Sequence, residues 1–323
     1  MKQQLPIMSS NAAAYPITVH EDAVSMIVAQ LRSSVESNKD ACCLLVVDPS
    51  RRALMDRTDI GVFFSRQTPV PIPIRHEAFP LAHQPFLIEL DLSGKDGIAL
   101  LTESVRIAFE DREPDKIARG HGQRIGGWLI SKASAHDTAA YLSRNALHTN
   151  EHGSACLLRF YDSRALSLLW PILTVAQQQT LLGPLAAWHV LNACASHCVY
   201  ACNAIPQADL GLTHQQWNSV RRHSVINKAL GRHMHATGRQ PRPDEVETAQ
   251  SSAERAEQYG LLDDDDKVAF IQHALSWHPH FDAHASVRRV LSQVSPGSFY
   301  AAAVSDLTSA EIDEIRLGTW EQV

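Results

Sequence analysis

Short, wholly apolar runs set between helix-length amphipathic stretches constrain this chain more than any other feature. A run of five or six apolar residues is short for a helix, and as a strand it must be covered on both faces. Val24, Ile27, Val28 and Leu31 recur at helical spacing, and after a polar break comes CCLLVV at Cys42–Val47. That order predicts helix, turn, buried strand. Asp48-Pro49-Ser50 predicts a turn, IGVFFS at 60–65 a second strand, and PFLIELDLS at 85–93 an interior one. Five prolines between 69 and 85 exclude a long helix there and predict an extended surface connection. Residues 97–110 read as helix. The turn Gly120-His121-Gly122 and the pair Gly126-Gly127 lead into the strand WLIS, and Ser134 with Asp137 marks a helix start before Ala139, Ala140, Leu142 and Leu147. A strand at 155–161 completes the alternation. The expected fold is α/β, with an N-terminal α/β lobe around a mixed or mostly parallel central sheet and an all-helical C-terminal lobe.

From residue 165 to residue 208 there is no Asp, Glu, Lys or Arg. Pro171, the glutamines 177–179, Gly183-Pro184, His189, Asn192 and His197 break this stretch into pieces too short and too polar for a membrane span, so burial inside a domain is expected. A helical run over 165–172 ends near Pro171, Thr174 with Gln177 forms a capping box for the next helix, and Gly183-Pro184 stops it. After Ile205-Pro206 the chain turns to helices of alternating charge. Thr213 and Gln216 open one that carries Trp217, Val220, Ile226 and Leu230 near one face; residues 247–259 form another; the aspartates 263–266 precede VAFIQHALSW; Thr308 and Glu311 begin a last short one. The expected organisation is a loose leader at 1–19, an α/β domain at 20–207 and a helical lobe at 208–323, with the boundary near 205 to 212.

The net charge of -6 gives a phosphate backbone no basic surface to bind, which argues against nucleic acid. The first sixteen residues lack the continuous apolar core of a secretory signal, and six cysteines in 323 residues do not make a disulfide scaffold, so reduced thiols in a cytoplasm are expected. Cys194, Cys198 and Cys202, with His197, would align on a helix but lack the close pairs that bring thiolates to one zinc ion; small buried apolar residues are the better reading. His233-Met234-His235 reads as helix-end surface. The Gly120 to Gly127 stretch precedes a strand, whereas a phosphate loop follows one, and no GxSxG elbow or P-loop occurs. His278, His280, Asp282 and His284 offer imidazole and carboxylate to a divalent ion and define an alternative reading as a metal-dependent hydrolase. Their spacing is one residue too long before the last histidine, and a polar inter-helix loop is the preferred reading. No catalytic, cofactor-binding or metal-ligating set is expected.

The segment LLRFYDSRALSLLWPIL at 157–173, followed by Gln177 and LLGPLAAWHV, resembles the signature of the effector-adaptor chaperones of bacterial type VI secretion, the Tap or TEC adaptors. That family carries a strand ending in Arg-Phe-Tyr-Asp, an Arg two residues on, an apolar helix closing with Leu-Pro, then a Gly-Pro turn. The matching residues are Arg159, Phe160, Tyr161, Asp162, Arg164, Pro171, Gly183 and Pro184, with Trp188 just beyond. CCLLVVD, QPFLIELD and GGWLISKAS are similar to its earlier blocks and ERAEQYGLLDDDDKVAFIQHAL to its second lobe, so the resemblance runs over about residues 20 to 300. It departs at Ser163, where Pro is common, and in the proline-rich stretch at 69–85. The resemblance implies a cytoplasmic, non-enzymatic adaptor without cofactor, which binds a toxic effector and helps load it onto the VgrG spike protein. An immunity-type binding protein with the same lobes is a further alternative. Arg159 and Arg164 are expected to pair with Asp162, or to cap carbonyls where strand turns into helix, rather than to touch a partner directly. Trp217, Arg221 and Arg222 are the candidate effector-binding residues.

Overall fold

The computed structural model describes residues 17–49, 67–76, 79–118, 123–149, 153–294 and 299–322. At its centre lies β1 (Cys42–Val47), buried from its second residue onward. Successive strand side chains point to opposite faces, so Leu44 and Val46 enter one apolar cluster and Cys43, Leu45 and Val47 another. The second cluster is closed by α1 (Ile17–Ser37) and α2 (Lys95–Glu110) through Ile27, Leu31, Leu101 and Val105. The first is closed by α4 (Ala135–Ala146), α5 (Ser163–Leu169) and α6 (Val175–Leu182) through Leu142, Leu166 and Leu181. The result is a helix–sheet–helix sandwich. A short α3 (Pro114–Ala118) follows α2 before the chain re-enters the sheet.

The sheet runs in the order β2 (Val70–Pro71), β3 (Phe86–Leu90), β1, β4 (Ile125–Ser131), β7 (Leu185–Leu191), β8 (His197–Tyr200). Every pairing among the described strands is antiparallel, which corrects the expected mixed or mostly parallel sheet. The cause is specific. Both β3 and β4 run against β1, so they point the same way and are joined by a helical crossover as the strand–helix alternation implies. The earlier strand β1 lies between them and makes every neighbour antiparallel. Burial on both faces, the usual mark of parallel strands, comes here from two helical layers over an antiparallel sheet.

Other local expectations meet tertiary packing in the same way. The strand expected over 155–161 stops at Leu157: β6 (Ala155–Leu157) pairs only with β5 (Leu147–Thr149), apart from the main sheet. The proline-rich stretch is extended but not wholly at the surface, since Val70, Ile72 and Ile74 are buried and Pro71 and Pro73 point outward. Proline suits such an edge because it has no amide to donate. Cys194, Cys198 and Cys202 lie on no helix; the first two belong to the β7–β8 hairpin, whose turn is held by the Asn192 carboxamide accepting from the amides of Cys194 and Ser196. The strand expected at 60–65, the turn Gly120-His121-Gly122 and the first sixteen residues of the expected leader lie outside the described residues.

The helical part comprises α7 (His214–Thr237), α8 (Pro243–Gln258), α9 (Asp264–Ser276), α10 (Ala285–Gln293), α11 (Tyr300–Val304) and α12 (Ser309–Leu317). It does not pack as a separate body. Leu168 of α5 sits in the cluster formed by Val225, Ile226, Leu230, Ala253, Val268 and Ile271, and Leu210 packs into the α/β core. The two parts are also latched by side chains. Gln177 and Gln216 each complete a capping box with the preceding threonine, and each donates its amide nitrogen to the other's carbonyl, at 3.1 and 2.7 Å. No helix among the described residues is long and apolar enough to cross a membrane.

Candidate partner-binding site

After β6 the chain must turn from a small hairpin into α5, and the residues from Arg159 to Arg164 make that turn. Asp162 is the N-cap of α5: its Oδ1 accepts from the Arg164 amide at 3.0 Å. The Arg164 guanidinium then returns to the same carboxylate, Nε to Oδ1 at 3.1 Å and Nη2 to Oδ2 at 2.7 Å. Burial would push the Asp162 carboxyl up, but the Arg164 charge and its two hydrogen bonds win and hold it well below the usual carboxylate range. Arg159 takes a different partner. Its Nη2 donates to Asp48 Oδ2 at 3.0 Å, beyond the end of β1, and its Cζ stands 5.7 Å from the centre of the Tyr161 ring. The expectation of ion pairing therefore holds for Arg164 with Asp162, and Arg159 is joined to the sheet instead.

The apolar residues of the signature hold this turn in place. Phe160 and Tyr161 are fully buried, and the Phe160 ring meets Trp188 edge-on at 6.0 Å. A Cβ on Gly126 would come within 2.1 Å of the Tyr161 carbonyl oxygen, so only glycine allows the turn to lie this close to β4. Gly183 ends α6 with φ 56°, where a Cβ would strike the Tyr141 ring, and Pro184 leads into β7. Pro171 sits in the single turn that follows α5.

Sequence reasoning missed a second layer of charge behind the turn. Arg124 and Asp111 form a buried bidentate pair, with Nη2 to Oδ1 at 2.8 Å and Nε to Oδ2 at 3.0 Å. Arg112 is buried without a carboxylate of that kind; its Nη2 donates to the Leu191 carbonyl and, at 3.3 Å, to Ser163 Oγ, which in turn bonds Gln123. Burial, helped by the nearby Arg164 charge, pushes Arg112 down to about 9. The available signal was the position of Asp48, Asp111 and Arg124 just outside apolar runs, where a charge must find a partner or stay in water.

In front of the turn lies a groove of about 940 Å³. One wall is the signature itself, with Leu157, Arg159, Asp162, Arg164 and Ala165; Ile117 of α3 and Val220 of α7 complete the apolar floor. The other wall is one face of α7, where Ser224, Asn227, Lys228, Gly231, Arg232 and His235 recur at helical spacing. Of the sequence candidates on this helix, none lines the groove. Trp217 is 5% exposed and packs edge-on against His148 at 6.2 Å. Arg222 is bound to Glu257 at 2.7 Å, and Arg221 is exposed and donates to Asn218. Trp217 thus packs α7 against the β5–β6 hairpin, and Arg222 ties α7 to α8.

The alternative metal site does not assemble. Asp282 accepts from Arg255 Nε at 3.1 Å and from the Tyr259 hydroxyl at 3.2 Å, and His284 caps α10 through the Ser286 amide. His278 and His284 each pack against Trp320 with ring centres 5.6 Å away. The single turn at Phe281–Ala283 sends the carboxylate among the helices and the imidazoles towards the indole. Among the described residues no group of three or more His, Cys, Asp and Glu is arranged to hold a metal ion.

Residues 80–180 match the family model DUF4123, described as a domain of unknown function. The match runs from the segment before β3 into α6, so it includes Arg159 to Arg164 and Pro171 but stops short of Gly183, Pro184 and Trp188. No curated protein and no solved structure matches the chain.

Proposed function

We propose, on the premise that residues 80–180 belong to DUF4123, the domain family known from type VI secretion effector-associated (Tap/TEC) proteins, that this protein is a non-enzymatic adaptor. It binds a toxic effector in the producing cell's cytoplasm and helps load it onto the VgrG spike protein. The family association carries this reading, and one structural observation supports it: the signature turn has its charges spent on Asp48 and on its own helix cap, and it forms the wall of an open groove. A wall of that kind positions a surface for another macromolecule. In this reading Arg159, Asp162 and Arg164 are positioning residues that lock sheet, turn and α5 into a rigid edge. The test is co-purification from the native host with the neighbouring gene product and the spike protein under mild salt. Recovery of the effector or spike is the expected result; repeated recovery of the protein alone overturns the proposal.

A further inference from the structure

We propose that the groove between the signature turn and α7 receives an acidic segment of the partner, apolar on its inner side and carrying carboxylates that bind Lys228 and Arg232. This rests on the adaptor reading and specifies what the partner must offer. The floor is apolar, through Ile117, Leu157, Ala165 and Val220, and calls for an apolar face. The rim calls for negative charge. Arg159 and Arg164 on the signature wall already answer to Asp48 and Asp162, so the exchangeable positive charge is that of Lys228 and Arg232 on the α7 wall.

The protein already places a carboxylate on this rim. Asp265 Oδ1, at the start of α9, lies 2.6 Å from Lys228 Nζ and 3.5 Å from Arg232 Nη2, so one oxygen is held by both cations. The Asp265 side chain is 70% exposed, and an ion pair so open to water adds little to stability. A partner carboxylate, brought by a segment that also buries apolar surface, can take its place. Asp162 is different: it is a half-buried N-cap with a bidentate arginine and is not exchangeable. The groove's volume is at the upper end of small-molecule pockets, roughly 300–1,000 Å³, and its open, two-walled form suits a length of chain.

The experiment is calorimetric titration of the purified neighbouring gene product, tested as the effector, and separately of the spike protein, into the wild-type protein, K228E/R232E and D265N, at low and moderate salt. The expected result is that K228E/R232E binds at least about tenfold more weakly and loses most of the salt dependence. D265N removes the internal competitor and binds several-fold more tightly. This gain separates a lost contact from a lost fold, and thermal melts of all three proteins accompany the titrations. Wild-type protein that binds neither effector nor spike overturns the adaptor reading and the groove together. Wild-type binding that both variants reproduce unchanged overturns the groove alone.

Discussion

Asp162 does two things at once, capping α5 and holding Arg164, and both depend on its staying ionised in a half-buried place. Asp162→Ala therefore removes a cap and strands one guanidinium, and is expected to lower stability by about 1–3 kcal/mol in chemical denaturation. Arg159 keeps its own partner, Asp48, and is not stranded by that change. Protonation separates the buried groups. Burial pushes His189, His223 and His273 down to about 4, so each favours its neutral form in the folded state. Their contribution is complete above the ordinary histidine value of about 6.5 and is lost as pH falls from there towards 4, with a limiting slope of about 1.4 kcal/mol per pH unit for each histidine. Asp162 is held below the carboxylate range, so its contribution persists through that window and fails only below about pH 4. A melting temperature followed from pH 7.5 to 3.5 should fall first through the histidine window and again at the acid end; a flat curve between pH 6.5 and 4.5 would show that the histidines are not buried neutral. The Asp162–Arg164 pair could be read from two neighbouring residues. Asp48 could not, because 111 positions separate it from Arg159 and only the sheet brings them together.

Helix starts were legible because they are local. Ser134, Thr174, Thr213 and Thr308 all cap the helices their spacing announced. What two of those caps do together was not legible. Gln177 and Gln216 each hold a threonine amide with the carbonyl oxygen and use the amide nitrogen to bridge α6 and α7. Gln177→Ala and Gln216→Ala should each cost about 1 kcal/mol or more, and the double variant less than the sum, because either change already breaks the bridge. A double-mutant cycle by urea unfolding measures this; strict additivity would mean that the two amides act only as separate caps. Strand direction failed for a related reason. CCLLVV and GGWLIS are buried on both faces as expected, and FLIEL is too except at Glu89, but an apolar run carries no information on which neighbour a strand chooses, and β1 between β3 and β4 reverses every pairing.

The whole molecule shares its cores across the division placed near 205 to 212. Leu168 belongs to the helical cluster, Leu210 to the α/β cluster, and Gln207 is tied to Thr180 by its amide at 2.8 Å. A fragment of residues 1–207 would expose Leu168 and lose the Gln177–Gln216 bridge, so it should not fold on its own. The intact chain should unfold in one cooperative transition by calorimetry. Two resolved transitions, or a folded fragment, would mean that the parts are independent and that the groove walls can move apart.

Composition and patterning sufficed to establish an α/β chain with a helical C-terminal part, and the order of short motifs gave a family resemblance over about residues 20 to 300, of which residues 80–180 match the DUF4123 model. These are local properties, carried by propensities, caps and apolar period within a dozen residues. Packing alone settled the antiparallel order of the strands, the union of Arg159 with Asp48, the burial of Trp217 and the meeting of α7 with the signature turn across a groove. Each of these depends on which distant surfaces exclude water from one another, and such a choice belongs to the folded chain as a whole.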